Sequence, residues 1–457
     1  MKKFFLVALI ICSLAASSQN IPPFKQLRYD EDYSPLKNDS TSNWYRATKY
    51  QPLSTRPNVY LSIGGDIRYQ YLKFNNENWG ETPNDEDGYL LTRYLAHADF
   101  HAGKKFRIFV QLQSSLASGM KEDPSPVDEN QLDLHQAFID VVPFSNKYNS
   151  LTIRIGRQEL LYGSQRLVAV RDGPNNRQSF DAAKLMYAHK DWKGDLFFSH
   201  YVRSSPKIFD DGFNKSTKFW GAYIVKNKLP VIKNIDLYYM GIWKQKAMFD
   251  DGMGKEQRHS IGARIWNNKN GARYDIEGLY QFGKFDDKEI SAWTFSINAG
   301  YKFEEVKLKP ELGLKTEFIS GNKQYDDGRI QTFNPLFPRG GYFGLVSLIG
   351  PVNLVDVHPS VAFDLSNKLL LDMDCDIFYR QSKNDGIYGP NVALIYSGKN
   401  TTSKTIGSQF SADLIYTPNN FLFFRGEFTW FKAGNFLREV GPGENISFVA
   451  ITTQLKF

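Results

Sequence analysis

Alternate positions along this chain change character again and again. Val59, Leu61, Ile63, Gly65, Ile67, Tyr69 and Tyr71 make one parity apolar, while Ser62, Asp66, Arg68 and Gln70 fill the other. Successive strand side chains point to opposite faces, so the stretch predicts a strand with one greasy and one wet face. The pattern returns with Phe106, Ile108, Val110 and Leu112 against Arg107, Gln111 and Gln113. Ala272, Tyr274, Ile276, Gly278, Tyr280 and Phe282 alternate with Arg273, Asp275, Glu277 and Gln281. Val306, Leu308, Leu312, Leu314 and Phe318 alternate with Lys307, Lys309, Glu311, Lys315 and Glu317. Leu369, Leu371, Met373, Cys375, Ile377 and Tyr379 alternate with Asp372, Asp374, Asp376 and Arg380. A soluble β-sandwich alternates too, but with its polar face in bulk water. Here charges of both signs stand at mid-strand, and aromatics gather toward strand ends, as at Tyr69 and Tyr71, Tyr280 and Phe282, or Phe421, Phe423 and Phe424. A water-filled lumen and interfacial girdles require that distribution. The expected fold is therefore all-β: a transmembrane antiparallel β-barrel of about 18 strands, with a lumen too wide for side chains to fill.

The connections divide into two kinds. Asn419-Asn420 and Asn268-Lys269-Asn270-Gly271 suit tight periplasmic turns. Residues 75–87, 119–130 and 382–403 are longer polar loops. Two segments do not alternate. Residues 19–57 are polar, aromatic and proline-bearing, and form an N-terminal periplasmic or lumenal segment ahead of a barrel over 58–457. Residues 322–350 contain Asn334-Pro335-Leu336-Phe337-Pro338-Arg339-Gly340-Gly341, which no central strand could hold. A structureless stretch of that length is usually functional, so this pore-associated loop is expected over or inside the lumen, at or below its mouth. Gly64-Gly65, within a strand, reads as a bend or bulge.

Composition narrows the classes. The 457 residues include 25 Tyr, 35 Phe and 8 Trp, yet the mean hydropathy is −0.43. Disordered chains are poor in aromatics, and a helical membrane protein needs apolar runs that occur nowhere after the first twenty positions. Those first positions have their own logic. Lys2 and Lys3, the apolar stretch from Phe4 to Leu14, and Ala15, Ala16, Ser17 and Ser18 form a signal peptide over 1–18, which implies export to the outer membrane of a Gram-negative cell. Its removal would take away Cys12 and leave Cys375 alone, with no disulfide and no cysteine-rich metal site. The formal charge of +7 would lose two lysines. No basic block stands out, so nucleic acid is not an expected partner.

Chemistry motifs are missing. No zinc-protease, Walker or nucleophile-elbow pattern appears, so no catalytic residue, no cofactor and no metal is expected. His97 and His101 share a face with Asp99, but alternate strand residues do not converge as helical neighbours do. The informative region is 154–184, where Arg154, Arg157, Arg166, Arg171, Arg177 and Lys184 face only Glu159, Asp172 and Asp181. Arginine captures carboxylates bidentately, and rings of Arg and Lys are how anion pores select. Arg68, Arg93, Arg107 and Arg203 on polar strand faces, with Arg339 in the long loop, complete the expected pore-lining set. Pairing of these arginines with lumenal Asp and Glu would instead brace the wall.

Gly156-Arg157-Gln158-Glu159, Tyr162-Gly163, Arg166-Leu167, Arg171-Asp172, Asn176-Arg177 and Ser179-Phe180-Asp181-Ala182 together resemble the signature of the alginate-export outer-membrane family. Arg28-Tyr29-Asp30-Glu31-Asp32, Lys49-Tyr50-Gln51-Pro52-Leu53, the strand Leu61 to Arg68, Asn334 to Pro338, Gly407 to Leu414 and Phe431 to Leu437 extend the likeness over nearly the whole mature chain. The resemblance implies an eighteen-stranded outer-membrane barrel whose arginine-lined constriction passes an anionic polysaccharide. The expected partners are then membrane lipid, anionic polysaccharide or small anions, and periplasmic export or uptake proteins. A general anion porin, a plugged surface-binding barrel and an outer-membrane hydrolase are the competing functions.

Overall fold

The computed structural model describes residues 23–39, 43–56, 58–83, 87–269 and 271–457. The expected signal peptide over 1–18, with Cys12, lies outside the described residues. Eighteen long strands make the wall. They are β1 Val59–Asn75, β2 Tyr89–Ala102, β3 Phe106–Ser118, β4 Asn130–Ser145, β5 Asn149–Gln158, β6 Phe180–His189, β7 Trp192–Arg203, β8 Gly212–Leu229 and β9 Lys233–Phe249, then β10 Gly252–Lys269, β11 Ala272–Phe285, β12 Lys288–Lys302, β13 Glu311–Ile319, β14 Leu354–Ser366, β15 Leu369–Arg380, β16 Thr405–Tyr416, β17 Leu422–Ala433 and β18 Ile446–Lys456. Each is antiparallel to its sequence neighbours. β18 pairs with β1 through Lys456↔Asp66 to Ser447↔Asn75, so the barrel closes and no wall edge is left open.

The predicted faces are the observed ones. On β1, Ser62, Asp66, Arg68 and Gln70 are buried inside, while Ile63 and Tyr69 are exposed outside. Leu112, Ile139, Ile155, Leu196, Ile224, Leu314, Leu414 and Ile451 continue an exposed apolar surface around the wall. Such an area is intelligible only against lipid. Tyr69 and Tyr94 share a hydroxyl–hydroxyl contact of 2.9 Å on this outer face. Turns are short at the end carrying both wall termini, the periplasmic end, and the opposite end has the long loops.

Two local expectations are corrected. Val306 and Leu308 are not in a strand, because Leu308 and Lys309 turn through left-handed φ values and Pro310 has no N–H to give a ladder; β13 begins at Glu311. Gly64-Gly65 is not a bulge either, since its pairing with β2 runs in continuous register. A Cβ on Gly64 would meet Lys49 and His97, and one on Gly65 the carbonyl of Leu95 and the ring of Phe457. Close approach, not curvature, requires these glycines.

What approaches is the N-terminal segment. It enters the periplasmic half of the lumen as two short 3-10 turns and the helix α1, Trp44–Lys49. Tyr29 packs edge-on against Phe109 and Phe138, and Arg28 donates to the carbonyls of Gly65 and Phe457 at 2.8 and 2.9 Å. Lys49 is fully buried and donates to the Ile63 carbonyl at 3.0 Å. Burial, reinforced by Arg28, pushes its ammonium down to about 7. Because the undocked lysine titrates at about 10.4, docking strengthens as pH rises from about 7 toward 10 and is weakest below that window. Lys49→Met should therefore strengthen docking by about 1 kcal/mol or more at pH 7. The check is hydrogen exchange of residues 23–56 in both proteins at matched pH. A gain that failed to shrink toward pH 10 would contradict the assignment.

Candidate pore constriction and solute site

Two extracellular loops turn inward and meet. Residues 159–179 follow β5, and residues 320–353 follow β13. Ala169 donates to the Phe337 carbonyl at 2.9 Å and Phe337 to that of Leu167 at 2.8 Å, a short parallel ladder inside the barrel. Arg329 and Ile330 of 322–350 do pair in parallel with Glu289 and Ile290 of β12, contrary to the expected exclusion, but Pro335 and Pro338 keep the segment around Phe337 off the wall and free to pair there. Phe337 packs against Phe180, Tyr201 and Phe219 of β6, β7 and β8. Asn334 donates to both oxygens of Glu256 at 3.0 Å, which anchors the loop to β10.

The 159–179 loop spans the lumen from wall to wall. At one end Arg166 pairs with Glu317 at 2.9 Å and Glu277 at 3.2 Å. At the other, Asp172 receives Arg93 at 2.8 Å and Arg177 at 3.2 Å, and Arg68 donates to the carbonyls of Asp172, Gly173 and Pro174. Enclosure in the lumen disfavours the charged Asp172, but Arg93, Arg177 and Arg68 outweigh it and hold the carboxyl well below its ordinary range. Between these ends, buried Glu159 accepts from Arg177 at 2.6 Å and faces His135 at 2.8 Å. Its carbonyl also receives Tyr29 at 2.8 Å, and Gln165 donates to Gln26 at 3.0 Å. The periplasmic segment and the extracellular loop thus form one continuous obstruction.

Sequence order exaggerated the free charge of residues 154–184. Arg154 is clamped by Asp140 at 2.7 and 2.8 Å and lies over the Tyr29 and Phe138 rings. Arg157 pairs with Asp181 at 2.9 Å, and Lys184 with Asp195 at 2.7 Å. Arg107 pairs with Asp99 at 2.6 Å, which also draws His101 to 3.1 Å. Among the described residues Arg171 alone of the six makes no ion pair. It holds a left-handed φ of 55°, and its side chain donates to the Tyr201 hydroxyl at 3.5 Å. Arg203 and Arg339 are exposed and likewise lack carboxylate partners there.

Arg171 stands between two cavities on the extracellular side of the loops. One, of about 350 Å³, is lined by Arg171, Arg177, Arg203, Lys244, Asn176 and Tyr201, with Asp211 as its acidic member. The other, of about 300 Å³, contains Gln70, Asp128 and the backbone turn of Gly340-Gly341. Burial pushes Asp211 up to about 6, so it stays mostly ionised at pH 7 and loses its charge only in mild acid. Lys244 was absent from the sequence expectation. It shares the inward parity of Asp236, Tyr238, Met240 and Ile242 on β9, and that parity was the available signal. The arrangement offers three cations without ion pairs among the described residues, Arg171, Arg203 and Lys244, with an amide and a phenol around a solute-sized space, which suits a carboxylated guest.

Among curated proteins no sequence matches this chain. Solved structures with the same architecture include the Pseudomonas aeruginosa porin OccK2 (OpdF), 12% identical with a TM-score of 0.59, covering 87% of this chain and 98% of that one. A second structure of OccK2, in complex with glucuronate, is 11% identical with a TM-score of 0.54 over 87% and 96%. A BenF-like porin from Pseudomonas fluorescens Pf-5 is 9% identical with a TM-score of 0.59 over 87% and 99%. At such identities the likeness is one of fold. The family comes from the sequence itself: residues 59–448 match the alginate export model, and the chain belongs to the alginate export family of outer-membrane channels.

Proposed function

We propose that this channel passes anionic saccharides and that it first binds them in the extracellular vestibule at Arg171, Arg203 and Lys244. The carrying observation is that these cations border one cavity and make no ion pairs among the described residues, while most of the lumen's other arginines are spent on carboxylates. A carboxylated sugar would supply the missing acceptor, and the apolar rings of Tyr201 and Phe337 would flank its carbon face. The solved OccK2 complex with glucuronate supports this chemical class. The cavity volume suits one sugar residue at a time, so a polymer would advance stepwise past the inward loops.

Reversal potentials in a potassium chloride gradient test the reading. The wild type should reverse on the anion side, more weakly as salt screens the field. Arg171→Ala with Arg203→Ala should bring the potential toward zero and weaken glucuronate block of the chloride current about 10-fold or more, the loss of charge-assisted hydrogen bonds. Neutral glucose should block neither protein strongly. A cation-selective wild type would overturn the proposal.

A further inference from the structure

On the wall opposite the arginine-rich strands, β14 and β15 bring Asp356, His358 and Asp376 together, each offering an atom within 4.8 Å of the others. Asp356 and Asp376 are completely buried. His358 Nδ1 lies 2.5 Å from Asp376 Oδ1, and its Nε2 lies 3.5 Å from Asp374 Oδ1. Neither carboxylate oxygen of Asp356 has a hydrogen-bond partner, and no cation of the described residues pairs with it. An ionised carboxylate so buried and unpaired is strongly disfavoured unless a cation reaches it. The nearest cation acting on it, Lys315, makes no ion pair with it and is shared with Glu317. Lys315 is drawn to Glu317 at 3.3 Å and lies over the Tyr342 and Phe343 rings, while Glu317 also takes Arg166 and the Tyr342 hydroxyl.

We infer that Asp356, His358 and Asp376 form a binding site for a divalent transition metal of the zinc class. Two carboxylate oxygens and one imidazole nitrogen are the donors such an ion accepts, and three protein ligands leave a position for water or solute. Asp374 supports the assignment independently of the acidic cluster. A carboxylate on the far nitrogen of a ligating histidine fixes its tautomer and ring orientation, the usual second partner at metal sites. Gln409 donates to Asp376 Oδ2 at 3.4 Å and to the Phe343 carbonyl at 2.7 Å, so the site stands against the 320–353 loop. The ion would neutralise the acidic wall.

The test is calorimetric titration of zinc chloride into the full, detergent-solubilised protein after chelator treatment. One zinc per chain is expected. Asp356→Asn and His358→Gln should each weaken binding about 100-fold or more, and Asp374→Asn about 10-fold. Asp210→Asn, in the separate group of Asp133, Asp210 and Asp211, should leave the affinity unchanged. Heat-modifiable migration verifies that each variant is a folded barrel. X-ray absorption of the zinc-loaded wild type, which needs no variant, should show nitrogen and oxygen ligands at about 2.0–2.2 Å, one of them imidazole. No binding by the wild type would overturn the inference in favour of a proton shared between Asp356 and Asp376. Binding that survives Asp356→Asn, or is lost in Asp210→Asn, would also overturn it.

Discussion

Deleting residues 331–341 while keeping their flanks should raise single-channel conductance several-fold and leave the wall assembled. Phe333, Leu336 and Phe337 are at most 5% exposed, and they fill lumen that the eighteen strands leave vacant. Removing them also takes away the ladder that holds Leu167 and Ala169, so the 159–179 loop loses its support on that side. Each of the three side chains contributes about 1.5–3 kcal/mol by burial, and the thermal midpoint should fall accordingly. The wall's hydrogen-bond ladder does not involve the deleted residues, so migration on unboiled gels should remain that of a folded barrel. Conductance in planar bilayers is the deciding measurement. An unchanged value would mean that this loop does not limit flow, and the gating role would be lost.

The second large effect concerns the far end of the 159–179 loop. Asp172→Asn should loosen it at neutral pH, because Arg93, Arg177 and Arg68 then converge without their shared counter-charge. The Asp172 side chain is 39% exposed, so solvent screens the interaction; a loss of about 1–3 kcal/mol is expected. Carbonyl acceptors for Arg68 survive, and the loop should fluctuate rather than leave. Acid should reproduce the effect in the wild type. A carboxyl held below its ordinary value contributes its stability above about pH 4, the unfolded value, and loses it as pH falls toward the lower folded one. Open-channel noise should therefore be higher in Asp172→Asn than in the wild type at pH 7, and the difference should be smaller at about pH 3, already below the unfolded value. A mutant effect of equal size at both pH values would reject the electrostatic latch.

The legible part of the site was its residue type, not its partners. Arg154 and Arg177 stood in the expected pore-lining set, yet Arg154 is clamped by Asp140 within the wall and Arg177 by Glu159 within the 159–179 loop. Arg171, six residues from Arg177, is the one left to a guest. Lys244 was hidden because only Asp236 marks its parity as wet, while Tyr238, Met240 and Ile242 between them put largely apolar side chains on the lumenal face. Those side chains are dry because loops cover them. The expected absence of a metal rested on His97, His101 and Asp99 along one strand, whereas Asp356, His358 and Asp376 meet only across β14 and β15.

Strand period, wall faces, turn positions and the non-alternating character of 19–57 and 322–350 were determined by the sequence by itself. Each is a local property: alternation assigns a face residue by residue, and proline removes a ladder donor wherever it stands. The tertiary structure alone decided that Phe337 pairs with Leu167 and Ala169, that Arg166 reaches Glu317, and that Tyr29 reaches Glu159. Those contacts join residues more than a hundred positions apart across a lumen, as in Tyr29–Glu159 with a separation of 130. Charge counted along the chain carries no record of such distances, because closure of the barrel creates the proximity and the low-dielectric interior then selects which charges pair.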